Sequence, residues 1–421
     1  MKNRVVVTGM GVCAPNGTNI SDFTEALKTG KSGIRYFSEL EKLKFSCQIG
    51  GMPLVPEQLK SRYFTPLELR NFNSSGILYG VIAGMQAWED AGLSIHEEHC
   101  DYDSGCIFGS GSLGVDKFRE SIIKVDEGNV RRLGSTSVQQ TMSSGVSAYL
   151  GGKIGFGNLV TTNSSACTTG TESIYLAFER IQNGKAKRML AGSTSDGGPY
   201  VWGGFDALRI LPSKFNDRPT KASRPMDADA QGFVPGCGAG ALVLESLASA
   251  QERGATIYAE ILGGEVNNGG QREGGTMTAP NPHAVRRCIE NAIRDAGIKP
   301  DAIDAINGHL TATAKDGLEV HNWSRALGRK GDDLPYINSI KGMVGHCLAA
   351  AGSIECVASV LQLKEQFIFP NVNLETLHPE IAEVMEPGRA PRKMLNTRVD
   401  VLAKASFGFG DVNCCIIFRK F

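Results

Sequence analysis

Cys167 sits in Leu159-Val-Thr-Thr-Asn-Ser-Ser-Ala-Cys-Thr-Thr-Gly-Thr-Glu-Ser-Ile174. A β run there ends in small residues, and a helical pattern follows with Ile174, Phe178 and Ile181 on one face and Glu172 in its first turn. A cysteine at a helix N-terminus meets the positive end of the dipole and free backbone N–H groups, both of which favour thiolate over thiol. Ser164, Ser165, Ala166 and Gly170 leave room for a substrate carbonyl to reach the sulfur, as at a strand–turn–helix nucleophile elbow. The competing reading is a buried structural cysteine, the commoner fate of this residue type. This window alone does not choose between them.

Two histidines tilt the balance toward chemistry. His309 lies in Ala305-Ile-Asn-Gly-His-Leu-Thr-Ala-Thr313, just past a strand, and His346 in Ser339-Ile-Lys-Gly-Met-Val-Gly-His-Cys-Leu-Ala-Ala-Ala-Gly352, between a strand and a small-residue helix. Sites in α/β sheets form at the C-terminal edges of strands. The chain has 7 histidines, and His96 and His99 fall in a charged, surface-like stretch. Each of the two on its own reads as a structural histidine; together with a thiol they supply a nucleophile and two proton donors or acceptors. Lys341 and Glu355 interrupt otherwise apolar surroundings. A buried carboxylate costs several kcal/mol unless paired, so a Lys341–Glu355 pair near His346 is expected.

The elements that must hold these groups alternate along the chain. Short, nearly continuous apolar runs cover Arg4–Thr8, Ser104–Phe108, Arg188–Ala191, Ala239–Leu244, Tyr258–Gly263, Ala302–Ile306, Pro335–Ile340, Val399–Ser406 and Asn413–Phe418. They read as strands covered on both faces. Ile77–Ala91, Glu172–Gln182, Ala284–Ala296 and Leu348–Lys364 carry apolar residues at helical spacing, which predicts an α/β architecture. After the polar stretch Ala248–Ala255 the chain starts again with a strand and a glycine loop, as at its N-terminus. A pseudo-repeat is expected, with halves 1–254 and 255–421.

Gly109-Ser-Gly111-Ser-Leu-Gly114 follows a strand and fits the dinucleotide fingerprint in letter. The fingerprint also needs an acidic residue closing a second strand about 20 residues on, whereas Asp116–Glu120 and a polar loop through Gly134 follow. The glycines, like Gly9 and Gly11, read instead as places where backbones pack closely.

Composition sets outer bounds. With 421 residues and 41% hydrophobic content, two or three domains and a large core are expected. The 44 basic and 44 acidic side chains cancel, so no global field draws nucleic acid or an anionic membrane. The opening apolar run is broken at Gly9 and Gly11, and no window approaches about 20 uninterrupted apolar residues; the chain reads as soluble and cytoplasmic. Eleven dispersed cysteines with no CxxC or CxxxC pair read as reduced, mostly buried thiols rather than a disulfide framework or a zinc site.

Over essentially its whole length the chain resembles the β-ketoacyl-acyl-carrier-protein synthases, especially the long-chain type II elongating enzyme of bacterial fatty-acid synthesis. The resemblance rests on Ser165-Ala-Cys-Thr-Thr-Gly170, Ser223-Arg-Pro-Met-Asp-Ala-Asp-Ala-Gln-Gly-Phe-Val234, Lys341-Gly-Met-Val-Gly-His346 and Ser406-Phe-Gly-Phe-Gly410. It implies a thiolase-like fold of two βαβ-rich halves in five αβαβα layers, assembled as a homodimer or as a heterodimer with a related subunit. It also implies decarboxylative condensation with Cys167 as nucleophile and His309 and His346 as donors to a malonyl thioester, with Lys341 and Phe409 in the catalytic machinery. By the same resemblance Thr311 and Thr313 hold the pantetheine arm, and Glu355 and Phe407 belong to the substrate site. Phe409 gates the acyl tunnel, the loop Asn267–Thr278 is a second gate, and Arg131, Arg132 and Arg209 meet an acidic acyl carrier protein. No metal or redox cofactor is called for, since the carrier's phosphopantetheine brings the substrates.

The chain departs from the family pattern near the site. His-Gly-Thr-Ser-Thr becomes His309-Leu-Thr-Ala-Thr313, and the interval from that histidine to Asp316 and Glu319 is one residue short. Cys237, Met226 and Asp411-Val412 replace an acidic residue, a tryptophan and Gly-Thr. These changes suggest a specialised ketosynthase making polyenes or polyketides. Two other readings stand beside it. One is a thiolase-like enzyme using free acyl-CoA, which would need Cys414 or Cys415 as a second catalytic cysteine. The other is a non-catalytic subunit shaping chain length for a partner ketosynthase.

Overall fold

A computed structural model describes residues 2–421. Ten strands form the main sheet: β1 (Val5–Cys13), β2 (Ser104–Ser110), β3 (Val160–Thr161), β4 (Arg188–Ser195), β5 (Gly238–Ser246), β6 (Ala259–Asn268), β7 (Ala305–Asn307), β8 (Tyr336–Asn338), β9 (Val401–Gly408) and β10 (Val412–Lys420). The first five pair in the order β3-β2-β4-β5-β1 and the last five in the order β8-β7-β9-β10-β6. Parallel and antiparallel neighbours also correspond: β2–β3 and β2–β4 are parallel, as are β7–β8 and β7–β9, while β4–β5, β5–β1, β9–β10 and β10–β6 are antiparallel. A short antiparallel pairing, Val5–Val7 against Ala259–Ile261, joins the two sets.

Five helices position the site: α1 (Ser75–Asp90), α2 (Thr169–Gln182), α3 (Pro282–Asp295), α4 (Asp316–Leu327) and α5 (Ala351–Glu365). Helices α2 and α5 lie between the two strand sets, α1 covers the outer face of the first set, and α3 and α4 cover the outer face of the second. The result is a thiolase-like αβαβα sandwich. Helix α5 is buried on every side through Leu363 because it has a sheet above and below, which is why its sequence shows no polar face. The outer helices are amphipathic; α3 buries Val285, Cys288, Ile289, Ala292 and Ile293.

The closest backbone approaches depend on glycine. A Cβ on Gly11 would lie 1.9 Å from the Ala83 carbonyl of α1, so the strand interior, not a turn, is where this glycine is needed. Gly109 likewise has Thr169 of α2 within 2.3 Å of where its Cβ would be, in keeping with a packing role for that pattern.

Two expectations need correction. The polar loop expected after Glu120 begins only past Asp126: Val115–Asp126 is a helix, and its Phe118, Ile122, Ile123 and Val125 face outward. Because that apolar face is left about half exposed, the pattern did not read as a core-packing helix. The strand expected over Ala302–Ile306 begins at Ala305, preceded by a 3₁₀ turn at Pro300–Ala302, since a proline with no N–H opens the segment.

Candidate active site

The Cys167 backbone is set by three close contacts. Cys167 occupies a 3₁₀ turn, Ala166–Thr168, that runs directly into α2, and Ala166 takes a left-handed φ of 50° to make the bend. Gly408, at the end of β9, has no room for a side chain: its Cβ would lie 2.6 Å from Thr168 Oγ1 and 3.2 Å from the Cys167 nitrogen. Thr168 Oγ1 donates to the Val412 carbonyl at 3.0 Å, tying the turn to β10. The sulfur is thus fixed between the two strand sets at the mouth of the central helical layer.

His309 follows β7 and His346 follows the short helix Lys341–Val344. Their rings meet edge to face with centroids 5.4 Å apart, and one ligating atom each from Cys167, His309 and His346 lie within 4.8 Å of one another. His346 Nε2 is 3.1 Å from Cys167 Sγ, and its Nδ1 accepts the Leu348 N–H at 3.3 Å. An accepting Nδ1 places the ring proton on Nε2, facing the sulfur. Burial, aided by the Lys341 and Lys404 ammoniums, pushes both imidazoles well below their ordinary value, so they are neutral donors at neutral pH.

The thiol differs from the expectation of a helix-favoured thiolate. Burial pushes Cys167 up to about 11, although backbone N–H groups of Phe409 and of Cys167 itself and the charge of Lys341 act in the opposite direction. In this dry setting desolvation outweighs the dipole.

The trio opens on a cavity of about 590 Å³ whose wall includes Phe205, Phe233, Thr311, Thr313, Phe407 and Phe409. Thr311 and Thr313 hydroxyls are 3.1 Å apart on that wall. Phe407 stacks edge-on to His309 at 6.2 Å, and Phe409 lies 6.4 Å from Phe205. Arg209 is exposed between Leu208 and Ile210, two wall residues, while Arg131 and Arg132 are exposed on a separate turn away from the cavity. Glu355 is corrected: it is about 1% exposed and off the cavity wall, paired with Lys341, which also donates to the His309 carbonyl at 2.5 Å. Its place is behind the histidines, holding Lys341, rather than against a substrate.

The shortened histidine loop is held by two carboxylates. Glu319 accepts the N–H groups of His309 (2.6 Å) and Leu310 (2.8 Å), and Asp316 accepts those of Thr311 (2.9 Å) and Ala312 (3.1 Å). Leu310 turns away from the cavity into the outer core with Val320 and Trp323, and Ala312 takes the left-handed φ of 63°. Burial pushes Glu319 up to about 7. Sequence reading missed Lys404, a buried lysine on β9; Asp411, named there only as a departure from the family pattern, is a buried carboxylate after Phe409. A lysine inside the apolar run Val399–Ser406 was the same kind of anomaly that singled out Lys341.

The family model of the β-ketoacyl synthase N-terminal domain matches residues 2–250, and that of the C-terminal domain matches residues 258–375. The chain belongs to the β-ketoacyl synthase family. It is 34% identical over its full length to 3-oxoacyl-[acyl-carrier-protein] synthase 2 of Coxiella burnetii and 35% identical to that of Vibrio harveyi, covering 99% of each. Among solved structures, a β-ketoacyl synthase from Burkholderia phymatum has 30% identity and a TM-score of 0.87, with both chains fully covered. The ishigamide ketosynthase/chain length factor has 26% identity and a TM-score of 0.88, again over both whole chains. As a β-ketoacyl synthase the protein is an acyltransferase that forms carbon–carbon bonds. In this synthase Cys414 and Cys415 lie in β10, buried and off the cavity wall, so they do not supply a thiolase's second cysteine.

Proposed function

We propose that the protein is a β-ketoacyl-acyl-carrier-protein synthase working in fatty-acid or polyene/polyketide synthesis, with Cys167 as nucleophile and His309 and His346 as the decarboxylating pair. The observation that carries this is the convergence of one sulfur and two neutral imidazoles on a single cavity wall.

The Cys167 sulfur, as thiolate, attacks the acyl thioester, the carrier's pantetheine thiol leaves with a proton, and an acyl-enzyme results. A malonyl thioester then enters with its carbonyl against His309 and His346. As carbon dioxide departs, the electron pair moves onto that carbonyl, and two N–H donors meet the enolate oxygen; one well-aimed donor is worth about 3–4 kcal/mol. The carbanion attacks the acyl-cysteine carbonyl, whose oxyanion faces the backbone N–H groups of Cys167 and Phe409, and the thiolate is released. Thr311 and Thr313 hold the pantetheine arm, Phe407 and Phe409 border the acyl path, and Arg209, with Arg131 and Arg132, meets the acidic carrier.

The working unit is a dimer of the two-halved chain, 1–254 and 255–421, formed with a second copy or with a related subunit. The outward apolar face of Val115–Asp126 supports this, since Ile122 is 57% and Phe118 49% exposed. A solved type II polyketide ketosynthase, 28% identical with a TM-score of 0.87, is described in complex with its acyl-carrier protein. Among the described residues no helix is long and apolar enough to cross a membrane, and the reading places the enzyme in the cytoplasm.

The test is chain extension. Purified protein with malonyl- and acyl-carrier proteins of graded length should yield β-ketoacyl product, and Cys167→Ala should yield none; extension by the Cys167→Ala protein would refute the reading.

A further inference from the structure

Glu355 is approached by two ammonium groups. Lys341, from the short helix, pairs with one carboxylate oxygen, and Lys404, from β9, lies 3.0 Å from the other. All three side chains are about 1% exposed or less. The second contact is at ion-pair distance without hydrogen-bond alignment. Lys404 directs its protons to the Ala405 carbonyl and, at 3.1 Å, to the Ser406 hydroxyl. Ser406 in turn is 2.8 Å from the hydroxyl of Thr171, in the first turn of α2, into which the Cys167 turn runs. Glu355 already has a partner in Lys341, so Lys404 is not needed to satisfy it. One carboxylate between two ammoniums leaves a charge of one, in a layer where no bulk water screens it.

We propose that Lys404 is a positioning residue of the condensing site: by sharing Glu355 with Lys341 it leaves one positive charge uncompensated behind Cys167, His309 and His346, where the reaction creates a thiolate, an enolate and a tetrahedral oxyanion in turn. The two later anions rest on the condensing reading above; the thiolate does not. Other charged groups face the trio: Glu319, bonded to the His309 and Leu310 N–H groups; Asp316, bonded to those of Met226, Thr311 and Ala312; Lys315 on the cavity wall; and, from α2, Glu172, bonded to Ser165 and Asn163. Burial raises the Glu319 and Asp316 carboxyls, and all of these groups are the same in every variant compared below, so they do not enter the difference in rate. Three strand residues separate Lys404 from Gly408, whose Cβ position lies 3.2 Å from the Cys167 nitrogen; four steps of about 3.3 Å span about 13 Å, and at an effective permittivity near 20 a unit charge there shifts an ionisation by roughly one pH unit, a tenfold change in thiolate fraction.

Alkylation of Cys167 by iodoacetamide at about pH 8 reads this without any condensation, with exposed Cys100 as internal reference in peptide mass spectra. Lys404→Met should slow alkylation of Cys167 about tenfold and leave Cys100 unchanged. The double variant Lys404→Met/Glu355→Gln, which leaves Lys341 unneutralised and so restores the charge, should recover the rate. A Lys404→Met protein alkylated at the wild-type rate, or a double variant as slow as the single, overturns the proposal. Should Lys404→Met fail to fold, Glu355→Gln alone carries the test: two unneutralised ammoniums must make Cys167 react faster than wild type, and an equal or slower rate overturns it. Wild-type protein that shows these shifts but condenses nothing would contradict the condensing reading alone.

Discussion

His346 faces Cys167 with one ring nitrogen, Nε2 at 3.1 Å from Sγ, and is oriented by the other, which accepts the Leu348 N–H at 3.3 Å. The backbone therefore selects the tautomer that aims a donor at the sulfur, the donor that the proposed mechanism gives to a thioester carbonyl. Burial and the Lys341 and Lys404 charges hold the ring neutral. Nitrogen-15 spectra of the resting enzyme should show His346 as the Nε2–H tautomer, uncharged from about pH 8 down to about pH 6. An imidazolium signal in that range would contradict the account.

Glu319 makes stability depend on pH. Its carboxyl is pushed up to about 7 in the native protein against an ordinary 4.5, so the folded state binds the proton more tightly than the unfolded chain. Stability is then fully present below about 4.5 and is lost as pH rises toward 7, by about 3 kcal/mol. His309 and His346, held low, push stability up with pH in both proteins alike, so across this range the urea midpoint of the wild type should fall relative to that of Glu319→Gln as pH rises. Parallel pH slopes would refute the assignment.

Asp411 ties the glycine-rich loop to the turn that carries Phe409. Its buried carboxylate accepts the Gln271 and Asn281 N–H groups at 3.0 and 2.8 Å, and its own carbonyl accepts Gly269 N–H at 2.9 Å. Asp411→Ala orphans two donors at about 1–3 kcal/mol each. Limited proteolysis should cut within Asn267–Thr278 several times faster in the variant; an unchanged cutting rate would show that the carboxylate does not secure the loop.

Leu310 looked from sequence like an intrusion where a glycine bends the backbone. In the fold it is about 1% exposed in the outer core, and the unusual dihedral falls on Ala312 instead. Leu310→Ala should destabilise the protein by about 2–5 kcal/mol, measured by denaturant unfolding. A change below about 1 kcal/mol would mean the side chain is not packed as described.

These cases show where sequence reading reaches. The strands and the central helices were legible because burial on both faces leaves continuous apolar runs, and Cys167, His309 and His346 because each follows a strand into small residues. Contacts that depend on long-range registry were not. Nothing local shows that Lys404, 49 residues from Glu355 (404 − 355), lies 3.0 Å from it, or that desolvation at Cys167 outweighs the helix end. The helix Val115–Asp126 was missed because its apolar face looks outward, so only an unseen surface could explain its pattern. A charge on an apolar helix was enough to expect the Lys341–Glu355 pair, but not to tell which side of the site Glu355 occupies, where the resemblance put it against substrate.

The central claim is that Cys167 takes the acyl group while His309 and His346 act afterwards, on the malonyl carbonyl. Stopped-flow separation of the two half-reactions tests it most directly: acylation read by intact mass, then carbon dioxide release on adding malonyl-carrier protein. His309→Ala and His346→Ala should each still become acylated on Cys167 but release carbon dioxide about 10²–10³ times more slowly than wild type. Wild-type release rates in either variant, or an acyl group found anywhere but Cys167, would contradict the account.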